Sequence, residues 1–186
     1  CGRVVIEEFL DGPEVSLVAL CDGERAVPLL PAQDFKRAYD GNEGPNTGGM
    51  GAYTPLPWAP TDLVDEVMTT VVQPTVDEMR RRELPYVGVL YAGLALTSKG
   101  VRVVEFNARF GDPETQVVLD RLATPLATLL QSCAVGGLDP AFRLEWHPGA
   151  AVTVVLAAKG YPASPVKGDE ILGVDDAAKV EGAYVL

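Results

Sequence analysis

Two apolar segments joined by a short polar turn place the strongest constraint on how this chain can fold. Residues 87–96 and 101–107 have the composition of β-strands, and Ser98, Lys99 and Gly100 lie in the connection between them. So short a connection allows an antiparallel hairpin only, because parallel strands need a crossover of about a dozen residues or more. At least part of the core is therefore predicted to be an antiparallel sheet.

The second strand of this hairpin carries polar side chains near its end. If the strand alternates regularly, Val101, Val103, Glu105 and Asn107 share one face. Carboxylate and amide oxygens are hard ligands of the kind that Mg²⁺ prefers, and Arg109 follows where the strand ends. The pattern predicts a magnesium–nucleotide site at Glu105 and Asn107. The alternative is an ordinary strand with one solvated face.

The remaining segments predict a mixed fold. Strands are expected at 4–10, 14–21 and 26–30, a helix at 61–83, helices at 112–122 and 125–135, and strands at 150–158 and 183–186. Residues 31–60 are rich in Pro and Gly and are predicted to form a long loop.

Charge and composition exclude several classes of function. The formal net charge is −11 and no basic run occurs, which argues against binding nucleic acid through its phosphates. The apolar run at 150–158 is too short to cross a bilayer. The three cysteines are widely spaced and match neither a metal motif nor a disulfide framework, so a reducing cytoplasm is the expected setting. Because residue 1 is Cys and both ends read as strands, we expect a fragment of a longer protein.

Three further clusters could bind a ligand. Three glycines within residues 48–51 could bring the backbone close to an anion, although neither a Walker nor a Rossmann pattern is present and a flexible surface loop is the alternative. The stretch 33–37 places Asp34 beside Lys36 and Arg37, which suits a zwitterionic or phosphorylated substrate or is a solvated turn. The acids Glu7 and Glu14 could serve a nucleoside or be ordinary edge charges.

Taken together and in order, these motifs resemble a known family. Glu-Glu-Phe-Leu-Asp-Gly at 7–12, Gln-Asp-x-Lys-Arg at 33–37, Gly-Pro-Asn-Thr-Gly-Gly-Met-Gly-Ala-Tyr at 44–53 and Glu-Phe-Asn-x-Arg-Phe-Gly-Asp-Pro-Glu at 105–114 closely resemble the phosphoribosylamine–glycine ligases, ATP-grasp enzymes of purine biosynthesis. The resemblance covers essentially the whole chain. It implies an α/β (α+β) ATP-grasp fold, a mainly antiparallel sheet with flanking helices. Residues 1–140 would be the C-terminal part of the ATP-grasp domain, and 141–186 the start of a smaller β-rich C-terminal domain.

The resemblance also implies a role for each matching residue. Glu105 and Asn107 would be metal ligands, Arg109 and Asp112 would be catalytic, and Glu7, Phe9, Leu10 and Glu14 would bind ATP. The residues implied to bind the other substrates are Asp34, Lys36, Arg37, Asn46, Thr47, Gly48, Gly49, Met50, Gly51 and Glu114.

The implied reaction joins glycine to 5-phosphoribosylamine through a glycyl phosphate, with ATP and Mg²⁺ (or Mn²⁺), in the cytoplasm and with no nucleic-acid or membrane partner. Two departures from the family pattern stand out. Position 35 is Phe where many relatives have His, and the strand at 87–96 lacks the acidic metal ligand of many ATP-grasp enzymes. We expect the family's N-terminal domain and part of the ATP-grasp lid to be missing, so that this chain alone is inactive. The alternatives are another ATP-grasp carboxylate–amine ligase or carboxylase, or a truncated inactive nucleotide-binding domain.

Overall fold

The computed structural model describes residues 4–139 and 143–186. It contains two compact units, Cys1–Val155 and Leu156–Leu186. The first unit holds all nine strands found in the described residues: β1 Glu14–Asp22, β2 Ala26–Pro28, β3 Gln33–Asp34, β4 Arg37–Tyr39, β5 Glu43–Asn46, β6 Gly51–Thr54, β7 Val87–Thr97, β8 Gly100–Asn107 and β9 Ala151–Val154.

The main sheet is antiparallel, with strand order β2-β1-β7-β8. The predicted hairpin between β7 and β8 is confirmed, and β1 and β2 form a second antiparallel hairpin. A three-stranded sheet, β3-β6-β9, and a two-stranded ribbon, β4-β5, lie beside it. The region predicted to be a long loop therefore contains four short strands. Strands β4 and β5 pair with each other across a short turn, whereas β6 pairs with β3 and with β9, which lies far along the chain.

Helices cover both faces of the main sheet. One face packs against a continuous helical segment made of α1 Leu63–Val67, a π-helical turn Met68–Val72 and α2 Gln73–Arg81. The π-helical turn is followed by Gln73 and then Pro74, which cannot donate a backbone hydrogen bond within a helix. The other face packs against α3 Glu114–Arg121 and α4 Leu126–Ala134. Both faces of β1 are therefore buried, which explains its nearly continuous apolar sequence.

Two predicted strands are wrong. Residues 4–10 form no strand, and Val4, Val5, Ile6 and Phe9 are more than four-fifths exposed. Their apolar sequence has strand character, but no described segment pairs with it, and a strand needs a partner to satisfy its backbone groups. Residues 183–186 likewise lack strand pairing.

The first compact unit extends to Val155 and the second begins at Leu156. The domain boundary expected after residue 140 stays a prediction. Strand β9 pairs with β6 in register Ala52 to Thr153, so that it completes the first unit. The second unit contains one short helix, α5 Val174–Ala177, and turns such as the one closed by Ser164 N–H on the Gly160 carbonyl at 2.8 Å. Within the described residues, no helix is both long and apolar enough to span a membrane.

Candidate functional site

A bulge in β8 decides which of its side chains reach the candidate site. Gly93 pairs with Glu105 but Leu94 pairs with Val103, so β8 has one extra residue at this point. The bulge reverses the alternation. Val101 packs on the face of the sheet that α1 and α2 cover, and Val103 lines a groove against α2 on the same face. The prediction that all four residues share a face is therefore wrong, but Glu105 and Asn107 still lie together, on the opposite face.

The face that carries Glu105 and Asn107 presents polar groups in cross-strand rows. Ser16, Gly93 and Glu105 are directly opposite one another on three adjacent strands. The neighbouring row contains Tyr91 and Asn107. Gly93 has no side chain to occupy the space between its neighbours in these rows. A Cβ at this position would crowd them, because it would lie 3.1 Å from Cγ of Glu105 and 3.4 Å from Cε1 of Tyr91. Sequence reasoning missed Ser16, Tyr91 and Gly93, since only the strand register shows that they face Glu105.

Glu105 and Asn107 could hold a metal ion whose remaining ligands come from a bound substrate and from water. The Asn107 amide donates to Oε1 of Glu105 at 3.1 Å, so both side chains present oxygen to the same place once the amide is reversed. The described residues contain no group of three or more His, Cys, Asp or Glu side chains able to hold a metal ion. A cation here would have two protein ligands and would need phosphate oxygens and water for the rest, as Mg²⁺ in nucleotide sites often does.

A cation and two further carboxylates adjoin this face. Nζ of Lys36 lies 3.1 Å from Oε2 of Glu14 and 3.9 Å from Oδ2 of Asp34. Burial alone would lower the pKa of Lys36, but the negative charges of Asp34, Glu14 and Glu105 raise it. Lys36 therefore remains charged and connects the predicted nucleotide residue Glu14 with the predicted substrate residue Asp34.

Among the acids of the site, Asp34 has the pKa that departs most from its ordinary value. Its side chain is 5% exposed. Burial raises its pKa from 3.8 to about 6; Lys36 acts to lower the value, and the nearby charges of Glu114 and Glu14 add to the increase. A buried carboxylate of this kind is common where a protein binds a charged ligand.

Removing the charge of Asp34 is expected to stabilise the protein at neutral pH. Because the folded-state pKa lies above the unfolded value of 3.8, the wild type loses stability as pH rises from about 4 to about 6. Keeping the buried Asp34 side chain ionised above pH 6 therefore lowers the free energy of unfolding by at most about 3 kcal/mol. Asp34→Asn should raise the melting temperature at pH 8 and leave it unchanged near pH 3. Asp40→Asn, at an exposed position, is the control; an equal effect of both variants would contradict this account of Asp34.

The glycine-rich segment packs against the protein itself. Gly49 has φ of 132°, and a Cβ there would lie 2.3 Å from Cδ of Pro113. A Cβ at Gly51 would lie 2.7 Å from the Thr153 carbonyl oxygen. The Gly49 N–H donates to Oγ1 of Thr47 at 3.0 Å. Close packing therefore accounts for these two glycines, and the binding of an anion by their backbone stays a prediction.

The other predicted substrate residues do not all lie beside Lys36. Oγ1 of Thr47 donates to the Lys36 carbonyl at 2.9 Å, which ties the glycine-rich segment to Lys36. Arg37 instead donates to the Gly44 carbonyl at 2.7 Å, and it lines a groove of about 400 Å³ with Phe35 and Met50. Asn46 pairs with Arg37 in the β4-β5 ribbon and is exposed. Gly48 is also exposed.

The predicted ATP residues line one groove. Glu7, Phe9, Leu10 and Glu14 contribute to a groove of about 370 Å³, together with Arg102 and Val104 of β8. Asp11 holds this segment against the β7-β8 turn, since its carboxylate accepts from Oγ of Ser98 at 2.9 Å and from the Ser98 N–H at 3.2 Å. The structure therefore brings the four residues together, next to the strand that carries Glu105.

The two predicted catalytic residues are exposed on the connection between β8 and α3. Arg109 donates to the Phe110 carbonyl at 2.9 Å, and Asp112 accepts from the Gln116 amide at 2.7 Å. Helix α3 begins at Glu114 without a side-chain cap, and the Thr115 N–H bonds to the Gly111 carbonyl at 3.2 Å. Glu114 itself is buried and accepts from Ser16 and Tyr91 at 2.8 Å each.

Comparison with known proteins identifies the family. Residues 1–115 match the family model described as phosphoribosylglycinamide synthetase, ATP-grasp (A) domain. A protein named phosphoribosylamine–glycine ligase from Streptomyces coelicolor is 66% identical over the whole chain, which spans 45% of that relative's length. The crystal structure of phosphoribosylamine–glycine ligase from Thermotoga maritima matches 87% of this chain and 40% of its own, with 36% identity and a TM-score of 0.77.

A more distant likeness shows the fold alone. The biotin carboxylase domain of the Hydrogenobacter thermophilus 2-oxoglutarate carboxylase, crystallised with MgADP, matches 78% of this chain and 30% of its own, at 13% identity and a TM-score of 0.56. The predicted ATP-grasp fold is thus confirmed. With a family model that matches well over half of its residues, the chain belongs to the phosphoribosylglycinamide synthetase ATP-grasp (A) domain family.

Proposed function

We propose that this chain is part of an ATP-dependent ligase that joins glycine to 5-phosphoribosylamine, giving glycinamide ribonucleotide, ADP and phosphate in purine biosynthesis. The main support for the proposal is the Glu105–Asn107 pair, which lies on the same sheet face as Ser16 and Tyr91. The chain's membership of this family adds to that support. The chain spans less than half the length of the curated relatives that it matches, so the activity belongs to the full-length polypeptide.

ATP would bind across the groove and the adjoining sheet face. Phe9 and Leu10 would contact the adenine, and the Glu14 carboxylate would accept hydrogen bonds from the ribose hydroxyls. Glu105 and Asn107 would hold a Mg²⁺ or Mn²⁺ ion, which would neutralise charge on the phosphoryl group during transfer.

The chemistry requires activation of a carboxylate. Glycine is a poor electrophile because oxide cannot leave, and phosphorylation by ATP supplies a good leaving group. The exposed guanidinium of Arg109 would stabilise charge on the glycyl phosphate. Electrostatic stabilisation of this kind is often the largest single contribution to catalysis. The amine nitrogen then attacks the acyl carbon, phosphate departs with the bonding electrons, and no protein nucleophile is needed.

The substrates other than ATP would bind between Asp34, Lys36 and the glycine-rich segment. Thr47 fixes the backbone of Lys36, whose ammonium group offers the positive charge that a phosphate or carboxylate needs. Asp34 would attract the ammonium group of a zwitterion, and Asp112 would lie near the reacting groups. Arg37, Asn46, Gly48 and Met50 are proposed to contribute at the edge of this region.

A cytoplasmic location is also proposed. Cys21 and Cys133 are buried free thiols, and burial, together with the charges of Cys133 and Asp22, raises the pKa of Cys21 to about 12. Such thiols persist in a reducing compartment.

Substrate dependence of the full-length polypeptide tests the function. ADP formation should need both glycine and 5-phosphoribosylamine, the latter generated in the assay from ribose 5-phosphate and ammonia. This 186-residue chain alone is expected to give no turnover, because an open site leaves the phosphates in water. ADP release that is driven by bicarbonate or by another amino acid, and not by glycine, would favour a different ATP-grasp enzyme.

A further inference from the structure

Three buried polar side chains from three elements meet beneath the site. Oγ of Ser16 on β1 lies 2.7 Å from the Tyr91 hydroxyl on β7, and each lies 2.8 Å from Oε1 of Glu114 at the start of α3. The exposed fractions are 3% for Ser16, 4% for Tyr91 and 3% for Glu114. We call this group the Ser–Tyr–Glu anchor.

The Glu114 carboxylate is held by hydroxyl groups. In the described part of the chain it takes part in no salt bridge. Burying a carboxylate is costly unless it is hydrogen-bonded, and the two hydroxyl groups that donate to Oε1 hold the Glu114 side chain in place. The anchor therefore specifies where α3 begins relative to the sheet.

The start of α3 controls the connection that leaves β8. Residues 108–113 join Asn107 to Glu114, so the sheet holds both ends of this connection. Gly111 lies against the anchor, because a Cβ there would be 2.6 Å from Oε2 of Glu114 and 3.0 Å from Cε2 of Tyr91. Gly49 packs on Pro113 in the same connection.

We propose that Ser16 and Tyr91 are positioning residues of the ligase: by holding Glu114, they fix the 108–113 connection that presents Arg109 and Asp112 to the reacting groups. This inference rests on the proposed function. Both hydroxyls are enclosed by the sheet and α3, so they act through Glu114 and not on the substrates themselves.

Hydroxyl removal in the full-length polypeptide tests the anchor. Tyr91→Phe and Ser16→Ala should each lower kcat by about 10- to 100-fold while the KM for ATP changes by less than about twofold, since small displacements of reacting groups are costly. Tyr86→Phe is the matched control, because the Tyr86 hydroxyl donates to the Val89 carbonyl at 2.6 Å and the Tyr86 side chain packs with the core on the opposite face of the sheet. Tyr86→Phe should keep the wild-type kcat.

A double-mutant cycle on kcat separates positioning from general destabilisation. If Tyr91 acts through Glu114, Tyr91→Phe should cost much less in the Glu114→Gln background than in the wild type. Wild-type kcat in both Tyr91→Phe and Ser16→Ala, or additive losses in the cycle, would overturn the anchor. If one variant fails to fold, the other still decides. A wild-type protein that does not turn over with glycine would refute the proposed function instead.

Discussion

Replacing Glu105 with Gln in the full-length polypeptide is expected to lower the rate of ADP formation by about 10²–10³-fold, and Asn107→Leu should do the same. Each substitution removes an oxygen that is proposed to bind the metal, and one lost electrostatic contact to a developing charge costs roughly 3–4 kcal/mol. The fold should survive, because Glu105 is exposed and Asn107 is partly exposed.

The control for this pair is Glu66→Gln, an exposed acid on α1, which covers the opposite face of the main sheet. Rates should be compared at several Mg²⁺ concentrations, with circular dichroism to verify folding. If both site variants keep near wild-type rates at saturating Mg²⁺, Glu105 and Asn107 are not the metal ligands.

Gly49→Val is expected to raise the KM for 5-phosphoribosylamine by about 10- to 100-fold and to leave the KM for ATP within about twofold. Gly49 has positive φ, and its Cβ position overlaps Pro113, so a side chain must push the glycine-rich segment away from the β8-α3 connection. Overpacking of this kind costs about 1–3 kcal/mol. The groove proposed to bind ATP is lined by another segment and should be little affected.

Gly41→Val separates crowding from backbone strain. Gly41 also has positive φ, at 71°, but a Cβ there meets nothing within 4 Å. This variant should retain the wild-type KM for 5-phosphoribosylamine. A tenfold rise in the KM for ATP in Gly49→Val, with an unchanged KM for the amine, would show that the segment serves the nucleotide.

The sequence predicted the parts of the fold that depend on neighbouring residues. The β7-β8 hairpin follows from its short turn, and the helical segment at 63–81 follows from apolar spacing on one face. The sequence did not predict the bulge opposite Gly93 and Leu94. A register shift depends on how two strands pair, and neither strand's own sequence pattern indicates it. The error placed Val101 and Val103 on the wrong face while leaving Glu105 and Asn107 together.

The same limit applies to the site. The short strands within 33–54 pair with each other and with β9, about a hundred residues away, so local patterns indicated only a loop rich in Pro and Gly. Glycines that pack against Pro113 and Thr153 cannot be distinguished by sequence from glycines that approach a ligand. Ser16 and Tyr91 were missed because a hydroxyl in an apolar strand becomes informative only when its partner, Glu114, is known.

Transfer of oxygen from glycine to phosphate tests the proposed chemistry most directly. The full-length polypeptide would be supplied with ATP, 5-phosphoribosylamine and glycine labelled with ¹⁸O in the carboxylate, and the released phosphate analysed by mass spectrometry. A glycyl phosphate intermediate predicts one labelled oxygen in each phosphate that accompanies glycinamide ribonucleotide. Formation of glycinamide ribonucleotide with unlabelled phosphate would contradict the account.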